Sequence, residues 1–373
     1  MPNNHMKTVC AVTFFILIAL FSTGCERHKE PVKVGFIGCL TGRSIGLGAA
    51  GRDGFLLAVE EVNAAGGLSG HQLEPIIVDT GLDPEKAKRA ASKLVAEQVA
   101  FAVGPMTSQI AVSIVPIMND AKIPLVSPTV STNKLIGIDD YFFRVYYANS
   151  QAAAAMAGHV SNLGLEKIAV LYDVENRAYT EDWLRVFSED FADDRHSVIP
   201  VPFKTASAVL FYELVKSLLD DSPDGLLILA NSIDTALICQ QAAKLDLNIP
   251  KYATGWSFSG KLITYGGDSV EGLTVVQSVD FHKKRKEVGH FLKAHRTRFF
   301  DDPTFPAAHA YDATHLALRA LKKKLQGEEM KKAMLGIHDF PGVLQDFSLD
   351  QYGDVVNPPI FFRKIDRSVF ESL

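Results

Sequence analysis

From Val32 to Gln277 short apolar runs alternate with segments of helical periodicity, and the alternation runs through the chain twice. This alternation restricts the fold more than any other property of the sequence. A run such as VKVGFIG, Val32 to Gly38, is short, β-branched and closed by glycine, which marks a buried strand. The segments between runs space their apolar residues three and four apart. Phe55, Ala58, Val59 and Val62 form one such stripe, and Ala87, Ala90, Ala91, Leu94 and Val95 form the next. Strands apolar on both faces, alternating with amphipathic helices, predict parallel sheets flanked by helices.

The first block predicts strands at Val32–Gly38, Leu73–Asp79, Val99–Val103 and Ile123–Val126, and an extended segment at Tyr141–Tyr146. The second predicts strands at Lys167–Asp173, Ser197–Val201, Gly225–Ala230, Lys251–Thr254 and Leu273–Gln277. Its helices are expected at Gln151–Leu163, Tyr179–Ala192, Val209–Leu219 and Ile233–Leu245. Helical patterns at Glu287–Phe299 and Ala307–Lys324 follow, and an extended segment, Ile360–Ile365, closes the chain. The 373 residues suit two domains, each with a core of its own.

Within the first block, residues 101–133 read FAVGPMTSQIAVSIVPIMNDAKIPLVSPTVSTN. Two strands each end in a hydroxyl-rich turn, one carrying Thr107 and Ser108, the other Ser127, Thr129, Ser131 and Thr132. In a parallel sheet both turns fall at the carboxyl ends of strands, where open α/β sheets bind ligands. Free N–H groups at a helix start, beside hydroxyls, suit a small carboxylate. Thr107 and Ser108 are equally suited to capping the helix that follows. The same rim is expected to gather Asp79 and Thr80, the segment from Asp173 to Tyr179, Asn231 with Ser232, and Trp256 to Phe258. Tyr179, Trp256 and Phe258 would supply apolar walls with polar tips.

Several chemistries are disfavoured. Gly46-Leu-Gly48-Ala-Ala-Gly51 matches a dinucleotide fingerprint, but seven loop residues separate it from its strand, where the fingerprint follows directly. Gly255-Trp256-Ser257-Phe258-Ser259 falls one glycine short of a nucleophile elbow, and no histidine stands in an obvious relay with Ser257. No zinc, P-loop or calcium motif occurs, so neither cofactor nor metal nor catalysis is expected. A net charge of −5 gives no reason to expect nucleic acid. The basic runs His282–Lys286 and Lys322–Lys324 read as solvated faces. Cys39 and Cys239 stand far apart, and two buried free thiols are expected rather than a disulfide.

The N-terminus is a targeting segment. Lys7 precedes an apolar run from Val9 to Phe21, too short to span a bilayer and the right length for a signal core. Leu20-Phe21-Ser22-Thr23-Gly24-Cys25 resembles a bacterial lipoprotein processing site, which makes residues 1–25 a signal peptide ending at a lipidated Cys25. Multiple acyl chains on that cysteine would anchor the protein to a membrane.

VGFIGCLTGRSIGLGAAGRDGFLLAVEEVNAAGGLSGHQLEPIIVD resembles the opening of type I periplasmic solute-binding proteins of ABC importers, in the leucine/isoleucine/valine-binding branch. GPMTSQIAVSIVPIMNDAKIPLVSPTVSTNKL, YFFRVYYANSQAAAAMAGHV and HAYDATHLAL resemble that branch's later segments in order, so the likeness spans Val32 to Ile365. The resemblance implies two Rossmann-like lobes joined by three crossovers, with residues 32–148 plus 279–338 in one and 149–278 plus 339–373 in the other. It places a ligand in the cleft against Met106, Thr107, Ser108, Ser127, Thr129, Val130, Ser131, Tyr179, Ser232, Trp256 and Ser257. It implies an envelope monomer that hands a small carboxylate, such as a branched-chain or other amino acid, to ABC permease and ATPase subunits. A ligand sensor acting through a separate receptor is the alternative. Amino-acid binders of this branch commonly set an acid near Gly255-Trp256-Ser257, where this chain has none. Asp234, Asp173 or Glu175 would have to replace it, or the ligand is an amide, an aromatic acid or a cation held by Tyr179 and Trp256.

Overall fold

The computed structural model describes residues 29–42, 44–204, 211–281, 284–322 and 326–373. The predicted signal peptide with Cys25, the start of the Val209–Leu219 helix, His282 and Lys283 of one basic run, and Lys323 and Lys324 of the other lie outside the described residues.

The first sheet contains β1 (Val32–Gly38), β2 (Leu73–Asp79), β3 (Ala102–Val103), β4 (Leu125–Ser127) and β5 (Phe142–Arg144). Their spatial order is β2-β1-β3-β4-β5, and every pairing is parallel. The order reverses between β1 and β3, which opens a crevice at the carboxyl ends of those strands. Helices α1 (Ile45–Ala64), α2 (Pro84–Ala96) and α3 (Ser108–Asp120) make the connections. The start of α2 follows capping rules: Asp83 accepts from the Lys86 N–H at 2.7 Å, Pro84 opens the helix, and Glu85 lies in the first turn.

After α4 (Asn149–Asn162) the pattern restarts with β6 (Lys167–Asp173), α5 (Arg177–Phe191), β7 (Ser197–Phe203), α6 (Phe211–Lys216) and β8 (Gly225–Leu229). It continues with α7 (Ser232–Lys244), β9 (Lys251–Thr254), α8 (Gly260–Gly266) and β10 (Thr274–Gln277). The chain then returns to the first lobe with α9 (Lys286–Phe299), α10 (Phe305–Leu321), α11 (Gly327–Leu335) and the short hairpin β11 (Phe340–Pro341) and β12 (Asp346–Phe347). A third passage delivers β13 (Phe361–Asp366) and β14 (Val369–Ser372) to the second sheet. Its order is β14-β13-β10-β9-β8-β6-β7, parallel from β7 to β10, with β13 and β14 joining antiparallel at the edge. The expected α/β class and the three crossovers are therefore present.

Packing divides the C-terminal stretch differently from the expected 339–373. Phe340, Phe347 and Leu349 share a buried cluster with Val34, Phe36, Ala313 and Leu316 of the first lobe. Asp354 pairs with the buried guanidinium of Arg144, and the Gly353 carbonyl accepts the Arg144 N–H at 3.0 Å. The apolar hairpin residues cover α10, and only β13 and β14 complete the second sheet. Sequence periodicity showed the last strand but gave no sign of which lobe the hairpin would cover.

The dinucleotide-like glycines are packing devices. A Cβ on Gly48 would lie 1.9 Å from the Cys39 carbonyl oxygen, and one on Gly51 would lie 2.5 Å from Met106 Cε. A Cβ on Gly54 would lie 2.0 Å from the Ala307 carbonyl oxygen, so α1 and α10 approach with backbone nearly in contact. Cys39 and Cys239 are buried free thiols, and burial raises both to about 12.

Candidate ligand-binding site

The two hydroxyl-rich turns meet at the carboxyl edge of the first sheet. Ser127 Oγ donates to the Pro105 carbonyl at 2.9 Å, and Thr129 Oγ1 donates to the Met106 carbonyl at 2.7 Å. Ser108 Oγ accepts from the Ser131 and Thr132 N–H groups at 3.4 and 3.3 Å. Ser131 in turn offers its carbonyl to Asn149 N–H, at 2.7 Å, where the chain enters α4. Thr107 occupies the N-cap position of α3 with extended backbone, yet its side chain makes no capping bond. Ser108 holds the facing turn instead of the helix end.

The second lobe supplies the opposite wall. Asn176 Oδ1 accepts the Gln109 N–H at 3.0 Å, and Gln109 Oε1 accepts the Ala178 N–H at 3.2 Å. Two helix starts, α3 and α5, are thus capped by each other's lobe. Asp182 reinforces the closure: its carboxylate accepts from the Asn133 N–H at 2.7 Å, and within its own lobe from Asn149 Nδ2 at 3.1 Å. The lobes are closed on each other, with Leu57, Phe305 and Val343 in one apolar cluster with Met156, Trp183 and Leu229.

Between them lies a small cavity. Met106, Thr107, Ser108, Thr129, Ser131, Tyr179 and Trp256, all predicted from sequence, line it together. Leu47, Tyr146 and Phe305 line it as well and were not predicted, and so does Asn176, from the Asp173–Tyr179 segment expected on this rim. Tyr146 and Asn176 carry a sequence signal, since each falls just after a strand; Leu47 and Phe305 lie at helix starts that only the lobe packing brings inward. Tyr179 meets Trp256 edge-on at 5.5 Å between centroids, and Tyr146 stacks on Phe305 at 5.6 Å. Burial pushes the phenols of Tyr146 and Tyr179 far up, so both stay neutral donors.

Four predicted contacts lie elsewhere. Ser127 is fully buried, and its hydroxyl also accepts the Val130 N–H at 3.0 Å, which shapes the turn beneath the cavity. Val130 points into the core against Ile110 and Leu125. Ser257 is fully buried and donates to the Thr254 carbonyl at 2.8 Å, so it faces neither ligand nor a catalytic base. Ser232 lines an adjoining wider crevice with Asn231, Phe258 and Lys261. Leu47, Trp256 and Phe305 border both spaces.

The acids named from sequence serve other roles. Asp173 caps the turn at Glu175, accepting its N–H at 2.9 Å, and Asp234 takes Asn231 Nδ2 at 2.7 Å. Asp173, Glu175 and Asp234 do not line the cavity. Asp79 ties down the loop after β1. Burial pushes its carboxyl up, but bonds from Lys86 Nζ, Thr41 Oγ1 and the Leu40 and Gly81 N–H groups outweigh that and hold it well below its ordinary value. Among the described residues no group of three or more His, Cys, Asp or Glu is placed to hold a metal ion, and no helix is long and apolar enough to cross a membrane.

Two parallel-cored lobes, linked three times and closed over a cavity at their strand ends, define a bilobal solute-binding protein. Residues 31–368 match the family model described as periplasmic binding protein, and the chain belongs to that family. It is 23% identical over 331 residues to the leucine-, isoleucine-, valine-, threonine- and alanine-binding protein of Pseudomonas aeruginosa, covering 88% of each chain. Its fold superposes on the leucine-binding protein LivK of Thermotoga maritima with a TM-score of 0.83 at 23% identity, over 92% of this chain and 97% of that one. A solute-binding protein of an ABC transporter from R. palustris, solved with benzoate, gives a TM-score of 0.82 at 21% identity, over 92% and 95%.

Proposed function

We propose that this chain is an extracytoplasmic solute-binding lipoprotein that captures a small carboxylate between its lobes and delivers it to an ABC permease. The carboxylate class spans branched-chain and other amino acids and related aromatic acids or amides. The reading rests above all on Thr107. It is 3% exposed, lines the cavity at the start of α3, and its hydroxyl makes no capping bond. A hydroxyl that does not cap its own helix, beside that helix's N-terminus, is arranged to donate to an anion. Ser108, Thr129 and Ser131 surround the same point. Relatives that bind branched-chain amino acids and a structural neighbour holding benzoate support the solute class. Anchoring through Cys25 keeps the binder beside its permease.

Closure of the two lobes is the working step. A ligand shifts the population toward the closed form only through contacts it makes there and not in the open form. The cross-lobe bonds of Gln109 with Asn176, and of Asp182 with Asn133, are part of that closed state. Uptake of a labelled carboxylate by cells lacking the gene tests the proposal. Loss of uptake, restored by the intact gene and restored poorly by Cys25→Ser, is expected. Normal uptake in the deletion strain, with ligand binding intact in vitro, would favour a sensor acting through another receptor.

A further inference from the structure

Among the described residues, the cavity lining has one polar corner and no charged side chain. Its polar groups are the hydroxyls of Thr107, Ser108, Thr129 and Ser131, the Asn176 amide, and the tips of Tyr146, Tyr179 and Trp256. Three carboxylates close to it are engaged outside it: Asp182 on Asn133 and Asn149, Asp173 on Glu175, and Asp234 on Asn231. We propose that this cavity selects a single-ring aromatic carboxylate that carries no ammonium group. The inference rests on the solute-binding reading above and narrows it.

Two independent observations carry it. The first is electrostatic. A carboxylate entering the corner meets the hydroxyls of Thr107, Ser108 and Ser131 and the positive end of α3, so its lost hydration is replaced. An ammonium group entering with it leaves water and finds no counter-charge among the described lining residues. Burial of an unpaired charge is strongly unfavourable. The second observation is shape. Two ring pairs, Tyr146 on Phe305 and Tyr179 against Trp256, form most of the remaining wall. Rings attract a further ring through face and edge contacts that an aliphatic chain cannot reproduce.

Calorimetry on the full chain carrying Cys25→Ser tests this with matched probes. Benzoate and 4-hydroxybenzoate test the ring; 3-phenylpropanoate against phenylalanine, and 4-methylpentanoate against leucine, test the ammonium alone. Each amine-free member is expected to bind at least about tenfold tighter than its amino acid. The aryl acids should bind more tightly than 4-methylpentanoate. Leucine or phenylalanine binding as tightly as its amine-free partner overturns the inference but leaves the solute-binding reading intact, as does 4-methylpentanoate binding tightest. Failure of every carboxylate to bind the folded protein removes both. Asn176→Asp provides a second arm, since it keeps an acceptor for the Gln109 N–H and adds a charge to the wall. Benzoate should then bind about tenfold or more weakly, and the gap within each pair should shrink. An unchanged gap overturns the charge argument.

Discussion

Replacing Thr107 by valine removes one hydroxyl and conserves shape. In most helices that loss at the N-cap position costs stability, because the hydroxyl caps a free N–H. Here the Thr107 side chain makes no capping bond, and the nearby Gln109 N–H is satisfied from the other lobe by Asn176. The unfolding free energy should therefore stay within about 0.5 kcal/mol of wild type. Ligand binding should respond quite differently. A hydrogen bond to a charged acceptor contributes about 1.5–3 kcal/mol, which is about 10- to 150-fold in the dissociation constant. Urea denaturation of the free protein and calorimetry with the tightest carboxylate of the panel measure the two quantities separately. If affinity is unchanged, Thr107 does not touch the ligand. If stability falls with affinity, Thr107 is a structural cap and the site has been misread.

Three further expectations follow from single contacts. Gly54→Ala should lower the unfolding free energy by about 1–3 kcal/mol in thermal or urea denaturation, because its Cβ would meet the Ala307 carbonyl 2.0 Å away and α1 must part from α10. Gly51→Ala meets only the flexible end of Met106, at 2.5 Å, so calorimetry should show affinity falling while the denaturation midpoint barely moves. His309 is buried between Tyr146 and Phe305, and burial lowers its pKa to about 4. The unfolded state then binds the extra proton between about pH 6.5 and pH 4, so stability present above pH 6.5 is lost as pH falls through that window. From pH 7 to pH 5 wild type should lose about 2 kcal/mol more than His309→Gln in paired urea titrations.

The two sheets and their helices were legible because their signal is local. The runs at Val32–Gly38 and Gly225–Leu229 are short and apolar, and Asp83-Pro84-Glu85 announces a helix start; each segment carries its own evidence. The turn pair at Thr107 and Thr129–Ser131 was legible because the carboxyl ends of parallel strands share one edge. Sequence spacing did not separate the side chains that face the cavity from those that shape its floor. Ser127, Ser131 and Ser257 are all serines beside strand ends, and only Ser131 lines the cavity.

By itself the sequence determined the alternation, the two-lobe class, the hydroxyl-rich corner and the likeness that spans Val32 to Ile365. Tertiary structure alone decided the rest, because the deciding contacts join residues far apart in the chain. Asn176 reaches Gln109 across 67 positions, Leu47 and Phe305 become walls of the same cavity, and the hairpin at Phe340–Phe347 covers the first lobe. Closure also left Asp173, Asp182 and Asp234 paired elsewhere, and among the described residues no acid lines the cavity. Whether a carboxylate is left to face a ligand depends on which groups reach it first, and that competition takes place only in the folded, closed chain.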